Sequence, residues 1–157
     1  MKLITAKTVD ELIARTGETT RLRTHYNIHE SLSDPVQRLF IAAAISSYFR
    51  PHRHPGKSEF AIVLRGLFDI LIFDAEGMIT ERISAGPGKD IFALEIPVDV
   101  CHTWIPRVEG SVFFEVKQGP YDPSTLSFAP WSPEEGSARV KEFQAKLLTA
   151  QVGDRIA

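Results

Sequence analysis

One cysteine, Cys101, in 157 residues excludes an internal disulfide. Stability must then come from a packed core, and an unpaired thiol suits a reducing, cytoplasmic location. Long apolar runs are missing as well. No stretch approaches the ~20 apolar residues of a membrane span, and Met1-Lys2-Leu3-Ile4-Thr5-Ala6-Lys7 lacks the apolar core of a signal peptide. A soluble, cytoplasmic protein is expected. Charge of one sign is also lacking: 18 basic against 20 acidic residues leave a formal net charge of −2. Neither nucleic acid nor an anionic membrane is therefore expected as a partner, and no basic segment or helix-turn-helix pattern supports a DNA-binding role. There is no repeat, low-complexity tract or domain linker. With 43% apolar residues, the chain can bury one sizeable core.

What is present is mostly strand. Thr8-Val9-Asp10-Glu11 is a capping-box pattern for a short first helix, with Gly17 placed to stop it. Residues 21–29 alternate, setting Leu22, Thr24, Tyr26 and Ile28 against Arg23, His25, Asn27 and His29, which predicts a strand. Ser33-Asp34-Pro35 is a helix-start signal, so a turn or two of helix is expected within Val36 to Ala44. Short apolar runs broken by turn residues then predict strands at 46–50, 60–64, 68–73, 78–83, 91–96, 102–108 and 111–117, with hairpin turns at Glu76-Gly77 and Glu109-Gly110. Ser132-Pro133-Glu134-Glu135 resembles a cap opening a C-terminal helix that carries Val140, Phe143, Leu147 and Leu148 on its apolar side. The fold class is mainly β, a sandwich or closed barrel flanked by a short N-terminal helix and a C-terminal one.

The chemistry concentrates in His52-Arg53-His54-Pro55-Gly56-Lys57-Ser58-Glu59 and in Pro97 to His102. Histidines at i and i+2 of a strand share a face, with Cα atoms roughly 7 Å apart, so both imidazoles reach one ion. Glu59 and His102 supply further ligands, giving three nitrogens and one carboxylate oxygen. Without thiolate, the closed cysteine-rich site of structural zinc is excluded. Three imidazoles and a carboxylate leave coordination positions open, which is a catalytic layout. One divalent transition metal ion is expected, with Fe, Zn, Mn, Ni and Co all compatible with these donors.

His52-x-His54-x4-Glu59-x6-Gly66 resembles the first motif of the cupin superfamily, and Pro97-x-Asp99-x2-His102 the core of the second. Ser46 and Asp99 stand where those motifs usually have glycine, and Pro106 where the second often ends in asparagine. Asn27-x-His29, Pro35-Val36-Gln37-Arg38, Tyr48-x-Arg50, Glu115-Val116-Lys117 and Ala129-Pro130-Trp131 are similar to segments of the small WbuC-like cupin metalloproteins. The resemblance implies a single domain over 1–157: an N-terminal helix and strand at 8–30, a jelly-roll barrel (double-stranded β-helix) at about 45–118, and a C-terminal extension and helix at 119–151. It implies a homodimer too, and the strand at 21–29 gives a physical motive as an edge needing cover.

Beyond the ligands, Tyr48 and Arg50 share strand parity with His52 and His54 and are candidates for the substrate pocket. Glu115 is either solvent-facing or a pocket group. His25, Asn27 and His29 are a solvated face or a wall that closes over the metal, and Gln37 and Arg38 share that status. Cys101 points away from the site as a core residue, and Trp131 anchors the final helix. The expected function is a metal-dependent enzyme of oxygenase or isomerase type. Its small-molecule ligand would be a polar metabolite, and the resemblance suggests a sugar or sugar-nucleotide of surface (O-antigen) polysaccharide metabolism. A non-catalytic ligand-binding or regulatory cupin and a cupin sugar epimerase are the alternatives. Metal binding is expected to weaken below about pH 6, because only neutral imidazole ligates.

Overall fold

The computed structural model describes residues 1–156, from a first helix α1 (Ala6–Ala14) to a last helix α2 (Val140–Thr149). Between them run β1 (Arg23–Asn27), β2 (Val36–Ala43), β3 (His52–Arg53), β4 (Glu59–Arg65), β5 (Phe68–Phe73), β6 (Ile79–Ala85), β7 (Ala93–Ile96), β8 (Cys101–Pro106), β9 (Ser111–Gln118) and β10 (Ser127–Phe128). The strands make two antiparallel five-stranded sheets, ordered β1-β2-β9-β4-β7 and β10-β3-β8-β5-β6. No helix among the described residues is long and apolar enough to cross a membrane.

Alternating parity fills three apolar layers. Phe68 and Ile70 of β5 face inward and meet Trp104, Phe113, Val63 and Phe49 between the sheets. The Trp104 and Phe113 rings stack at 4.3 Å, with Phe68 edge-on to both. Leu71 and Phe73 face outward, where α2 covers them with Phe143 and Leu147. On the far side Leu12 of α1 covers Phe40, Ala42 and Val112. The C-terminal end of α2 is held by Arg82, which pairs with buried Asp69 at 2.6 Å and donates to the carbonyls of Leu147 and Ala150 at 3.0 and 2.6 Å.

Four local expectations are corrected. The first helix starts a turn earlier than its Thr8 pattern implies: Thr5 is the N-cap, its hydroxyl accepting the Thr8 amide at 3.2 Å, and Thr8 is the inner member of the box. Residues 36–43 form β2 and not helix, because the segment pairs with β1 on one side and β9 on the other, and that two-sided pairing outweighs its mixed local preference. Residues 46–50 are not strand, because here the chain crosses from the first sheet to the second, turning through a Ser47 amide to Ala44 carbonyl bond of 2.9 Å. Finally, 132–135 does not open the last helix. Glu135 is drawn instead to Arg21 and Arg23, each at 2.6 Å, and helix begins at Val140.

Two backbone positions frame the site. Gly66 has φ +73°, and a Cβ there would lie 2.2 Å from Ser111 Oγ, so the tight β4–β5 turn accepts only glycine. Asp99 also has positive φ, at 63°. Its Oδ1 accepts the Gly56 amide at 3.2 Å, a contact between the two motif-bearing loops, and a short polar side chain tolerates the left-handed conformation otherwise suited to glycine.

Candidate metal centre

His52 on β3 stands directly opposite His102 on β8, with ring centroids 4.5 Å apart. His54 follows two residues on, its ring 4.9 Å from that of His52 and 5.8 Å from that of His102. Glu59 opens β4 in the facing sheet and reaches across, bringing Oε2 within 2.9 Å of His54 Nε2 and 4.0 Å of His102 Nε2. One ligand atom from each of the four lies within 4.8 Å of the others. The cage therefore takes its imidazoles from one sheet and its carboxylate from the other.

The hydrogen bonds orient these donors. His52 Nδ1 is 2.8 Å from the Arg50 carbonyl and His102 Nδ1 is 3.0 Å from the Val100 carbonyl. A carbonyl only accepts, so each ring donates from Nδ1 and turns a bare Nε2 lone pair inward. His54 Nε2, His102 Nε2 and Glu59 Oε1 are buried with no hydrogen-bond partner, the close approach of His54 to Glu59 lacking hydrogen-bond direction. Buried polar atoms are nearly always satisfied. Orphans converging on one point fit a divalent ion.

Electrostatics point the same way. Burial, reinforced by neighbouring histidines, pushes the His52 pKa well below 6.5, and burial lowers that of His102. Both rings are held neutral, ready to ligate. Burial opposes ionisation of Glu59, yet the adjacent His54 nitrogen, with His102 and Lys117, more than offsets it and holds the carboxylate below its usual range. His52 and His102 are thus neutral and Glu59 ionised, the forms that bind metal.

The cage lies in a cavity of about 420 Å³. Trp104, Phe113 and Phe49 contribute apolar wall, and Asn27, His29, Gln37, Glu115 and Lys117 a polar one. Glu115 is buried and ion-paired with Lys117. Burial and the charge of Glu59 raise the Glu115 pKa, while Lys117, although burial opposes its charge, is raised by Glu115 and Glu59 and stays a cation. Arg50 also lines the cavity, its Nε donating to Ser132 Oγ at 3.1 Å and its guanidinium lying 4.7 Å over Phe128.

Tyr48 and Arg38 are corrections. Strand parity does not run through residues 46–50, so Tyr48 turns into the layer beneath α2, edge-on to Phe143 at 6.0 Å, and donates to the Pro133 carbonyl at 3.0 Å. Arg38 follows Gln37 on a strand, which sends its side chain to the exposed outer face while Gln37 is buried on the cavity side. The Gln37 amide nitrogen is committed to the carbonyls of Leu32 and Asp34, at 3.3 and 2.9 Å. Asn27 and His29 line the cavity and are not a solvated face. Trp131 packs on Phe73 at 5.1 Å, and Cys101 lies on the α2 side of β8. Sequence reasoning missed Lys117, Arg23 and Lys57 as cavity groups; Lys117 shares parity with Glu115, a usable signal, but only topology sets it opposite Glu59.

Among solved structures the chain resembles KdgF from Halomonas sp., at 16% identity and TM-score 0.51, covering 65% of this chain and 82% of that one. It resembles CapF, the capsular polysaccharide assembling protein from Staphylococcus aureus, at 18% identity and TM-score 0.54, covering 66% of this chain and 31% of CapF. It also resembles a Bacillus subtilis oxalate decarboxylase variant, at 18% identity and TM-score 0.53, covering 68% and 27%. These neighbours are cupins, and the two-sheet barrel with its histidine and glutamate cluster is a cupin fold fitted for metal. A search of curated proteins returns no match. The profile described as Domain of unknown function (DUF6016) matches residues 4–85, more than half of the chain, so this protein belongs to that family, built on the cupin fold.

Proposed function

We propose that this protein is a divalent-metal-dependent cytoplasmic enzyme acting on a small polar metabolite. The carrying observation is the inward convergence of three imidazoles and one carboxylate, with unpartnered buried donor atoms, on a cavity of about 420 Å³. His52, His54, Glu59 and His102 would hold the ion, which supplies Lewis acidity or a site for dioxygen. Lys117 presents a positive charge beside the cage, suited to a substrate carboxylate or a developing oxyanion. Glu115, its pKa raised by burial and by Glu59 while Lys117 pairs with it, is placed to exchange a proton with the bound substrate. Arg50, braced by Ser132 and Phe128, orients, and Trp104 and Phe113 exclude water from one side.

A sugar or sugar-nucleotide of surface-polysaccharide metabolism is the substrate class favoured by the WbuC-like segments, and the fold shared with CapF, a capsular polysaccharide assembling protein, supports the same reading. Metal analysis of anaerobically purified protein, followed by oxygen-uptake and isomerase assays on sugars and sugar acids, tests the reading. Stoichiometric metal with turnover that His102→Ala abolishes supports it. Binding without turnover across the panel favours the non-catalytic cupin instead, and wild-type protein that refuses every divalent metal overturns both.

A further inference from the structure

The cavity-facing side of the first sheet carries polar residues in two adjacent rows. Register sets Glu59 of the cage opposite Lys117, and Lys117 opposite Gln37. The Ile28 amide, donating to the Arg38 carbonyl at 2.8 Å, extends the β1–β2 pairing one step and brings His29 beside Gln37. In the next row Asn27 pairs with Leu39, and Leu39 with Glu115. Three interstrand steps, about 14 Å of backbone, thus separate the glutamate of the cage from His29.

At that far end stand two unsatisfied groups. His29 is 5% exposed, and its Nε2, like the Asn27 amide oxygen, is buried without a hydrogen-bond partner. The backbone fixes what His29 offers. His29 Nδ1 lies 3.0 Å from both the Arg38 amide and the Arg38 carbonyl; the amide can only donate, so giving it an acceptor leaves Nδ1 bare and puts the ring proton on Nε2. One donor and one acceptor thus border the same cavity. A hydroxyl group both donates and accepts, and it satisfies such a pair. The charge of the cavity indicates what lies at the other end. Arg21, Arg23, Arg50, Lys57 and Lys117 outnumber its four carboxylates before a divalent ion is added, so the loaded cavity favours an anion.

We propose that Asn27 and His29 form a hydroxyl-reading subsite remote from the metal, and that the substrate is a polyhydroxylated carboxylate held by its acid end at the cage. This rests on the metal-centred reading above and adds the length and the distal chemistry of the substrate. The test is calorimetric titration of metal-loaded protein with glycolate and with D-gluconate. Both present a carboxylate and an α-hydroxyl to the metal, but only gluconate carries hydroxyls far enough to meet Asn27 and His29. Gluconate is expected to bind at least tenfold more tightly than glycolate. Asn27→Leu, close in size, is expected to remove about tenfold of gluconate affinity by leaving a hydroxyl unpaired, with glycolate affinity and metal content unchanged. His29→Ala should act likewise, but it also strips the Arg38 amide of its acceptor, so its thermal unfolding is measured alongside and Asn27→Leu is the deciding variant. Equal affinity for the two probes, or Asn27→Leu binding gluconate like wild type, overturns the subsite while leaving the metal centre standing. Wild-type protein that holds no metal overturns the metal reading and this inference with it.

Discussion

If the four donors act as one cage, removing His102 should abolish the stabilisation that metal confers on the fold. A ligand that binds only the folded state stabilises it by RT ln(1 + [L]/Kd), about 2.7 kcal/mol at a free metal concentration of 100 Kd. For a domain of 157 residues, each kcal/mol moves the melting temperature by roughly 2–4 °C, so wild type should gain about 5–11 °C on loading. His102 is fully buried, aimed inward by its bond to the Val100 carbonyl, and supplies one of the orphaned nitrogens. Even residues that only orient metal ligands cost 10–100-fold in affinity when lost, and loss of a ligand should cost at least the upper end of that range. At the same metal concentration His102→Ala would then sit near its own Kd and gain only about 0.4 kcal/mol, or about 1 °C. The alanine also opens a void that shifts the apo baseline, so each protein is compared with its own chelator-treated form. Thermal scans with and without Zn(II), Mn(II), Fe(II), Co(II) or Ni(II) read the difference. A His102→Ala protein that gains as much as wild type would refute the cage.

Three of the four clustered donors were legible in the sequence because they sit close along the chain: the strand period puts His52 and His54 on one face, and Glu59 follows after a short loop. His102 lies far along the chain, and spacing alone nominated it; the register opposite His52 is a property of the second sheet. The rest of the cavity depended on which strands become neighbours. Lys117 meets Glu59 only because β9 pairs with β4, and His29 reaches the cavity only because β2 is a strand between β1 and β9. There the local signal misled. Ser33-Asp34-Pro35 is sound helix-start chemistry, but two-sided pairing of Val36–Ala43 outweighs it, and that change of period separates Gln37 from Arg38. Tyr48 failed for a related reason, since parity cannot be carried through a segment that crosses between sheets. Glu135 shows the same limit at the other terminus, where two distant arginines outcompete a local cap.

Three further outcomes are expected. We propose a homodimer, with edge strand β1 and its exposed Tyr26 at the interface: light scattering should give about twice 17.6 kDa, falling to the monomer mass in Tyr26→Lys, and a wild-type monomer at micromolar concentration refutes it. Burial pushes the Cys101 thiol up to about 11, so iodoacetamide at pH 8 should label native protein far more slowly than urea-unfolded protein, and equal rates would contradict its packing on the α2 side of β8. The apo protein should lose stability on acidification, in two stages. Burial holds His52 and His102 below 6.5 in the fold, so from 6.5 downward the unfolded chain binds protons that the folded chain refuses. Stability therefore falls as pH drops below about 6.5. Glu59, depressed below 4.5, adds a second loss in the same direction below that pH, partly offset by Glu115, which burial and Glu59 raise and which takes its proton more readily folded than unfolded. The same depression moves proton competition for the metal site below the pH 6 that ordinary imidazoles imply. Melting temperatures of chelated protein between pH 7.5 and 5 should fall for wild type and fall less for His102→Phe, which removes one of the two resisting rings. A flat wild-type profile, or an identical slope in the variant, would show that these imidazoles are not held neutral by the fold.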